Sequence, residues 1–187
     1  MAKKKSSRAR RNPARTRTRT QTRTPRAKAG GGRALDAVTL LKADHQAVKQ
    51  LFQQFEAARS ADKKQQLASR VCKMLIVHTE IEEEIFYPAF LQATGDEDIH
   101  HEAEVEHNGA KRLIADIEAS GPDDDYYEAK VHVLSEMIKH HVNEEEKRDG
   151  MFAEAKRSKM DLEGLGQQMA ARKSQLSSEE SSADQSG

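Results

Sequence analysis

Leu41, His45, Val48, Phe52 and Phe55 follow one another at steps of 4, 3, 4 and 3, the spacing of one inward stripe on a bundle helix. Val71, Leu75, His78, Glu82 and Ile85 repeat the pattern, as do Ala103, His107, Ala110, Ile114 and Ile117, and then Leu134, Ile138, His141 and Glu145. The stripes predict four helices, over about 36–58, 62–93, 97–119 and from after Asp125 to about 148. Asp36 is placed to cap the first, Gly95 stops the second, Ser120-Gly121-Pro122 closes the third, and Asp123-Asp124-Asp125 favour the start of the fourth. Pro88 lies inside the second helix and should kink or end it locally. Gly150 is read as a break, and a shorter fifth helix is expected over about 161–176. No stretch sustains period-two alternation, so no sheet is expected. Short connections between long helices imply antiparallel neighbours. The expected fold class is therefore all-α: an antiparallel up-down four-helix bundle with a short C-terminal helix and a disordered basic N-terminal arm. The chain divides into an arm over 1–33, a bundle over 34–157, and a short helix with a disordered tail over 158–187, frayed from Ser177.

Composition sharpens this division. Hydrophobic residues make up 36% of the 187 and charged residues 33%, a lean balance that fits helices with wide solvated faces or a partly unfolded chain. The zero net charge is an average over unlike parts. Residues 1–33 hold thirteen Lys or Arg and no acid, which leaves 18 basic against 31 acidic residues in the remainder. The arm is of low complexity, and nothing apolar in it offsets the entropy of ordering. One cysteine, Cys72, excludes a disulfide framework and a Cys-rich zinc site. A reducing, cytoplasmic setting fits. No apolar run approaches the roughly 18 residues that span a bilayer, so no membrane association is expected. The arm lacks the apolar region of a secretory signal, although its composition resembles that of an organelle transit peptide.

The chemistry lies where the stripes are interrupted. A single histidine on an apolar stripe is ordinarily a core residue with a hydrogen-bond partner, and a single glutamate ordinarily reaches water from a helix end. Four histidines and two glutamates on four inward seams are another matter, because each unpaired buried charge would cost several kcal/mol. A shared metal removes that cost. His78 and Glu82, and His141 and Glu145, are spaced i, i+4 and so point the same way from one helix face. The chain also repeats itself: Asp44-His45 and Glu106-His107 lead, and His78-x-x-x-Glu82-Glu83 and His141-x-x-x-Glu145-Glu146 trail. Each half is a helical hairpin offering three ligands. Two such hairpins face to face would hold two metals, each on two histidines, with Glu82 and Glu145 between them. Mixed imidazole and carboxylate ligation suits iron, zinc or manganese. Calcium and magnesium prefer oxygen alone.

These motifs, with Phe86 and Pro88 after the first His-x-x-x-Glu-Glu, resemble the hemerythrin-like (HHE cation-binding) family over residues 36–155. The resemblance implies a non-haem di-iron centre of two iron ions with an oxo or hydroxo bridge, held by His45, His78, Glu82, His107, His141 and Glu145, with the glutamates bridging. The choice of iron rests on this resemblance. One position departs from the oxygen-carrying members, which have a second histidine one turn before the third helix's histidine; here that residue is Ala103. His100, His101 and Glu104 lie at other angles, and His100, His101 and His140 are read as surface residues. Lys147–Met151 looks like a small insertion ahead of Phe152. The Ala103 departure turns the expectation from reversible O2 storage toward sensing or redox chemistry.

Three functions follow. The leading one is a di-iron protein that binds or senses O2, NO or peroxide. The second is a peroxidase- or catalase-like enzyme at the same centre, although no separate acid-base pair or substrate pocket is legible. The third is association with DNA or another acidic partner through the arm, with Arg15, Arg17, Arg19 and Arg23 as candidate phosphate contacts. The arm has no aromatics to stack on bases, so sequence readout is not expected. A solubilising tail, or attraction to the acidic body, explains the arm's charge as well. The oligomeric state is open.

Overall fold

The computed structural model describes residues 36–183, with side chains to residue 179, together with Met1. It divides the chain into two units, Met1–Gly32 and Arg33–Gly187. Apart from Met1, the expected disordered arm, with the candidate contacts Arg15, Arg17, Arg19 and Arg23, lies outside the described residues.

The described chain is all helical: α1 (Ala37–Ala57), α2 (Ala61–Ile81), a π-helical segment (Glu82–Phe86), α3 (Tyr87–Thr94), α4 (Glu97–Glu118), α5 (Tyr127–Glu146), α6 (Met151–Arg157) and α7 (Leu162–Ala183). Helix starts follow the polar residues that precede them. The carboxylate of Asp36 accepts the Thr39 N–H at 2.9 Å, and Asp96 accepts that of Ile99 at 3.1 Å, each satisfying a donor with no partner inside its helix. Gly95, at φ 72, ends α3 in the left-handed region where glycine carries no Cβ penalty. Asp124 closes the turn before α5 by accepting the Tyr126 N–H at 2.8 Å.

The helices form a bundle in which α1 packs on α2 and α7, α4 on α5, α2 on α4 and α1 on α5. Its interior has two apolar clusters. One gathers residues such as Val48, Phe52, Leu75, Ile114 and Ile138. The other gathers Leu41, Ile81, Phe86, Phe90, Phe152 and Met169. On α1, α2 and α4 the buried histidine falls between a residue of one cluster and a residue of the other, and on α5 His141 follows Ile138 of the first cluster, so a thin layer of ionisable groups separates two apolar regions.

Three expectations change. Pro88 does not simply kink the second helix. It follows the π-helical segment, in which the Tyr87 N–H reaches the Glu82 carbonyl, five residues back. The wider turn absorbs one extra residue and rotates the inward face. Ile85, expected on the seam, is only half-buried, while Phe86 and Tyr87 are buried instead. The second change is at the C-terminus. The expected helix over 161–176 runs from Leu162 to Ala183, so the region from Ser177 continues a helix. Met169 and Leu176 sit in the bundle's apolar cluster, which makes α7 part of the core. The third is the segment after α5. Lys147–Gly150 is a tight turn after which α6 brings Phe152 back against the core. A Cβ on Gly150 would lie 2.1 Å from the Glu144 carbonyl oxygen, so only glycine lets the turn close this tightly.

Candidate metal centre

The six expected ligands converge in the layer between the clusters. All are buried: His45, His78, His107 and His141 are 5% exposed or less, and Glu82 is wholly enclosed. His45 Nε2 lies 3.1 Å from His78 Nε2, and His107 Nε2 lies 3.2 Å from His141 Nε2, so each hairpin contributes one imidazole pair. The carboxylates cross between the pairs. Glu82 Oε2 is 3.2 Å from His78 Nε2 and 3.4 Å from His107 Nε2. Glu145 Oε2 is 3.3 Å from His45 Nε2 and 3.6 Å from His141 Nε2. Two groups of donor atoms result, His45–His78–Glu82 and Glu82–His107–His141, with Glu82 common to both.

The outer nitrogens decide which way the imidazoles face. His45 Nδ1 is 2.8 Å from Glu146, His141 Nδ1 is 2.8 Å from Glu106, and His107 Nδ1 is 3.0 Å from Glu83. A carboxylate at that distance fixes the proton on Nδ1, as inferred from the network. The Nε2 lone pairs then point inward, at one another and at carboxylate oxygens. Both oxygens of Glu82, and Oε2 of Glu145, have no hydrogen-bond partner. Lone pairs facing lone pairs in a dry layer repel unless a cation lies between them, and this donor set fits metal ions.

The electrostatics agree for two of the imidazoles, whereas for His141 burial is outweighed by Glu145 and Glu106, which raise it. Burial lowers His78 to about 4, despite Asp44 nearby, and burial likewise lowers His107; both stay neutral and able to ligate. Burial and the Glu145 charge push Glu82 well above the usual carboxylate range. Burial also works to raise Glu145, but His141 and His45 outweigh it and hold the group down at about 2. Glu83 is held at about 2 by its hydrogen bond with His107 and by Lys111.

The four flanking acids were visible in the sequence only as the partners in Asp-His, Glu-His and Glu-Glu pairs, without a role. Each serves a histidine on another helix. Glu106 precedes His107 but reaches His141, Glu83 follows Glu82 and reaches His107, and Glu146 reaches back to His45. Tyr87 was missed altogether. The π-helical segment turns it inward, and its hydroxyl lies 3.2 Å from both Glu145 Oε1 and His107 Nε2; the only signal was Pro88 next to it. Val48, Leu75 and Ile138 line the cavity beside the histidines, and Phe52, Ile114 and Ile117 are buried behind them. Ala103 is buried one turn before His107. His101 and His140 are exposed as expected. His100 is not fully on the surface: its ring is half-buried, edge-on to Tyr87 at 5.9 Å.

Residues 36–153 match the model of the hemerythrin HHE cation-binding domain, and every residue of the six-ligand cluster falls inside that match. The chain belongs to the hemerythrin HHE family. A hemerythrin HHE cation-binding domain-containing protein from Mycobacterium kansasii superposes with a TM-score of 0.58 at 23% identity, covering 75% of this chain and 86% of that one; this likeness supports the HHE fold alone. A protein named DNA nickase from Nostoc sp. is 30% identical over 107 residues, 57% of this chain and 30% of that protein's length. The chain thus spans less than a third of that relative. Among the described residues of this HHE chain, no helix is long and apolar enough to cross a membrane.

Proposed function

We propose that the chain holds two iron ions on His45, His78, Glu82, His107, His141 and Glu145, with the two glutamates bridging, and that the centre binds or senses O2, NO or peroxide. The observation that carries this reading is Glu82. It is a fully enclosed carboxylate with no hydrogen-bond partner, placed between one imidazole of each pair. The antiparallel up-down order of the four main helices belongs to the same reading, since it brings both hairpins to one layer. Iron, once bound, would supply electron transfer and an open position for a small ligand. The chain's own residues do the rest. Glu146, Glu106 and Glu83 hold three of the imidazoles in one tautomer, the two apolar clusters exclude water, and Tyr87 donates its hydroxyl hydrogen to Glu145 Oε1. That donor, beside both Glu145 and His107, is why turnover of peroxide stands as the enzymatic form of the same proposal. Anaerobic loading with ferrous iron should give about two ions per chain, and air should then produce the absorption of a coupled di-ferric site. A chain that takes up no iron would end the proposal.

A second reading concerns residues 1–33. Thirteen cations without an acid can neutralise phosphates without reading sequence, and the DNA in the name of the Nostoc relative gives that charge a candidate partner. Binding to a DNA duplex should weaken steeply between about 50 and 200 mM salt and vanish when residues 2–33 are deleted. Equal retention by the deleted chain would exclude the arm as the contact.

A further inference from the structure

Each imidazole of the centre has an acid facing its outer nitrogen, and each of those acids has a basic side chain behind it. Lys42 pairs with Glu146 at 2.7 Å, Lys111 with Glu83 at 2.6 Å, and His140 with Glu106 at 3.2 Å. These three sets lie within residues 36–153, the segment matched by the family. The fourth does not. The acid facing His78 is Asp44, and its cation is Lys173 on α7, beyond the matched segment.

The fourth set also differs in geometry. Asp44 Oδ2 lies 3.7 Å from His78 Nδ1, beyond hydrogen-bond range and longer than the 2.8–3.0 Å of the other three, and both atoms are buried without a hydrogen-bond partner. Asp44 Oδ1 is engaged by the Lys173 ammonium. Asp44 is buried, so two demands meet on one carboxylate: Lys173 fixes one oxygen, and the other is thereby turned toward His78. Packing sets the position of Lys173. Met169 and Leu176, on either side of it along α7, are buried in the bundle's apolar cluster. Arg172 forks onto Glu84 through Nε at 2.6 Å and Nη2 at 2.8 Å.

We propose that α7 is a working part of the centre, with Lys173 as the positioning residue that holds Asp44 toward His78, so that the His45–His78 half depends on a helix outside the family's own segment. This rests on the metal reading above. Without the ammonium, the Asp44 carboxylate would keep its burial but lose its anchor, and His78 would lose the group that orients its ring and favours the Nδ1 proton.

Lys173→Met keeps most of the side chain's apolar stem and removes the charge. In competition with a ferrous chelator under anaerobic conditions, this variant should hold one of its two irons about 10–100-fold more weakly and the other as the unaltered chain does. Lys173→Arg should restore the lost affinity. Arg172→Met, which breaks the neighbouring contact to Glu84, should leave both irons unchanged. In metal-free protein, the imidazole 15N resonances of His78 should shift in Lys173→Met and stay fixed in Arg172→Met, a readout that needs no iron. The inference is overturned if Lys173→Met keeps both affinities and the His78 resonances, or if Arg172→Met reproduces its effects, which would make α7 a structural support only. A chain that binds no iron before any substitution defeats the metal reading, and is told apart by that first measurement.

Discussion

A His78→Ala chain, loaded with ferrous iron under anaerobic conditions, should retain one tightly held ion where the unaltered chain retains two. His78 is one of only two imidazoles on its side: its Nε2 lies 3.1 Å from that of His45 and 3.2 Å from Glu82. Removing it leaves that half with a single nitrogen donor. The His107–His141 pair, which receives Glu82 from the opposite direction, keeps its full set. Loss of a group that only orients a ligand already costs about 10–100-fold in affinity, so loss of the ligand itself should exceed about 100-fold for the ion concerned. The coupled di-ferric absorption should disappear with the second ion, because one isolated iron has no partner. His101→Ala removes an exposed histidine and should leave both ions in place. Two tightly held irons in His78→Ala would mean that the convergence of these side chains is structural.

That the convergence of these six side chains could be anticipated from the chain, and their surroundings could not, follows from how each is encoded. His45, His78, Glu82, His107, His141 and Glu145 stand on heptad-like seams, and a periodic stripe reports which way a side chain points. The bundle and most helix ends are legible for the same reason, since caps such as Asp36 and Gly95 act locally. The supporting acids are harder, because Glu106 serves His141 and Glu146 serves His45; those pairings depend on which helices become neighbours. Tyr87 is hidden by the π-helical segment. Counting at 3.6 residues per turn places Ile85 inward, and one absorbed residue moves Tyr87 there instead. The role of α7 rests on two buried anchors, Met169 and Leu176, with Leu162 and Leu165 only partly buried in a largely polar helix, too sparse a pattern to announce a core element. In each case what escapes the sequence is a relation between helices or a break in period.

Glu82→Gln should produce opposite changes in the metal-free and metal-loaded protein. Without metal, the Glu82 carboxyl is fully buried without a hydrogen-bond partner, so ionising it sets a charge against imidazole lone pairs and a second carboxylate. Burial and Glu145 together raise its pKa. A group whose pKa is higher in the folded chain than in the unfolded one gives its stability below the unfolded value and loses it as pH rises. The metal-free wild type should therefore fall behind the glutamine variant increasingly as pH climbs above about 4.5, since Gln is neutral throughout. Its amide can also donate toward the Nε2 atoms of His78 and His107. Each pH unit between the unfolded pKa and the raised folded one costs the wild type about 1.4 kcal/mol, and about 1 kcal/mol moves Tm by about 2–4 °C in a chain of this size. At pH 7 the metal-free variant should thus melt several degrees higher than metal-free wild type. With iron the order reverses. The wild type gains stability in proportion to how tightly it holds its ions, while the variant has lost the anionic group shared by both halves and gains little. A variant that melts below wild type in both states would show that Glu82 is stabilising on its own account, and that the strain assigned to this carboxylate is absent. A rise without metal, together with a fall with it, is the signature of a site whose cost to the fold is met only by the ions it binds.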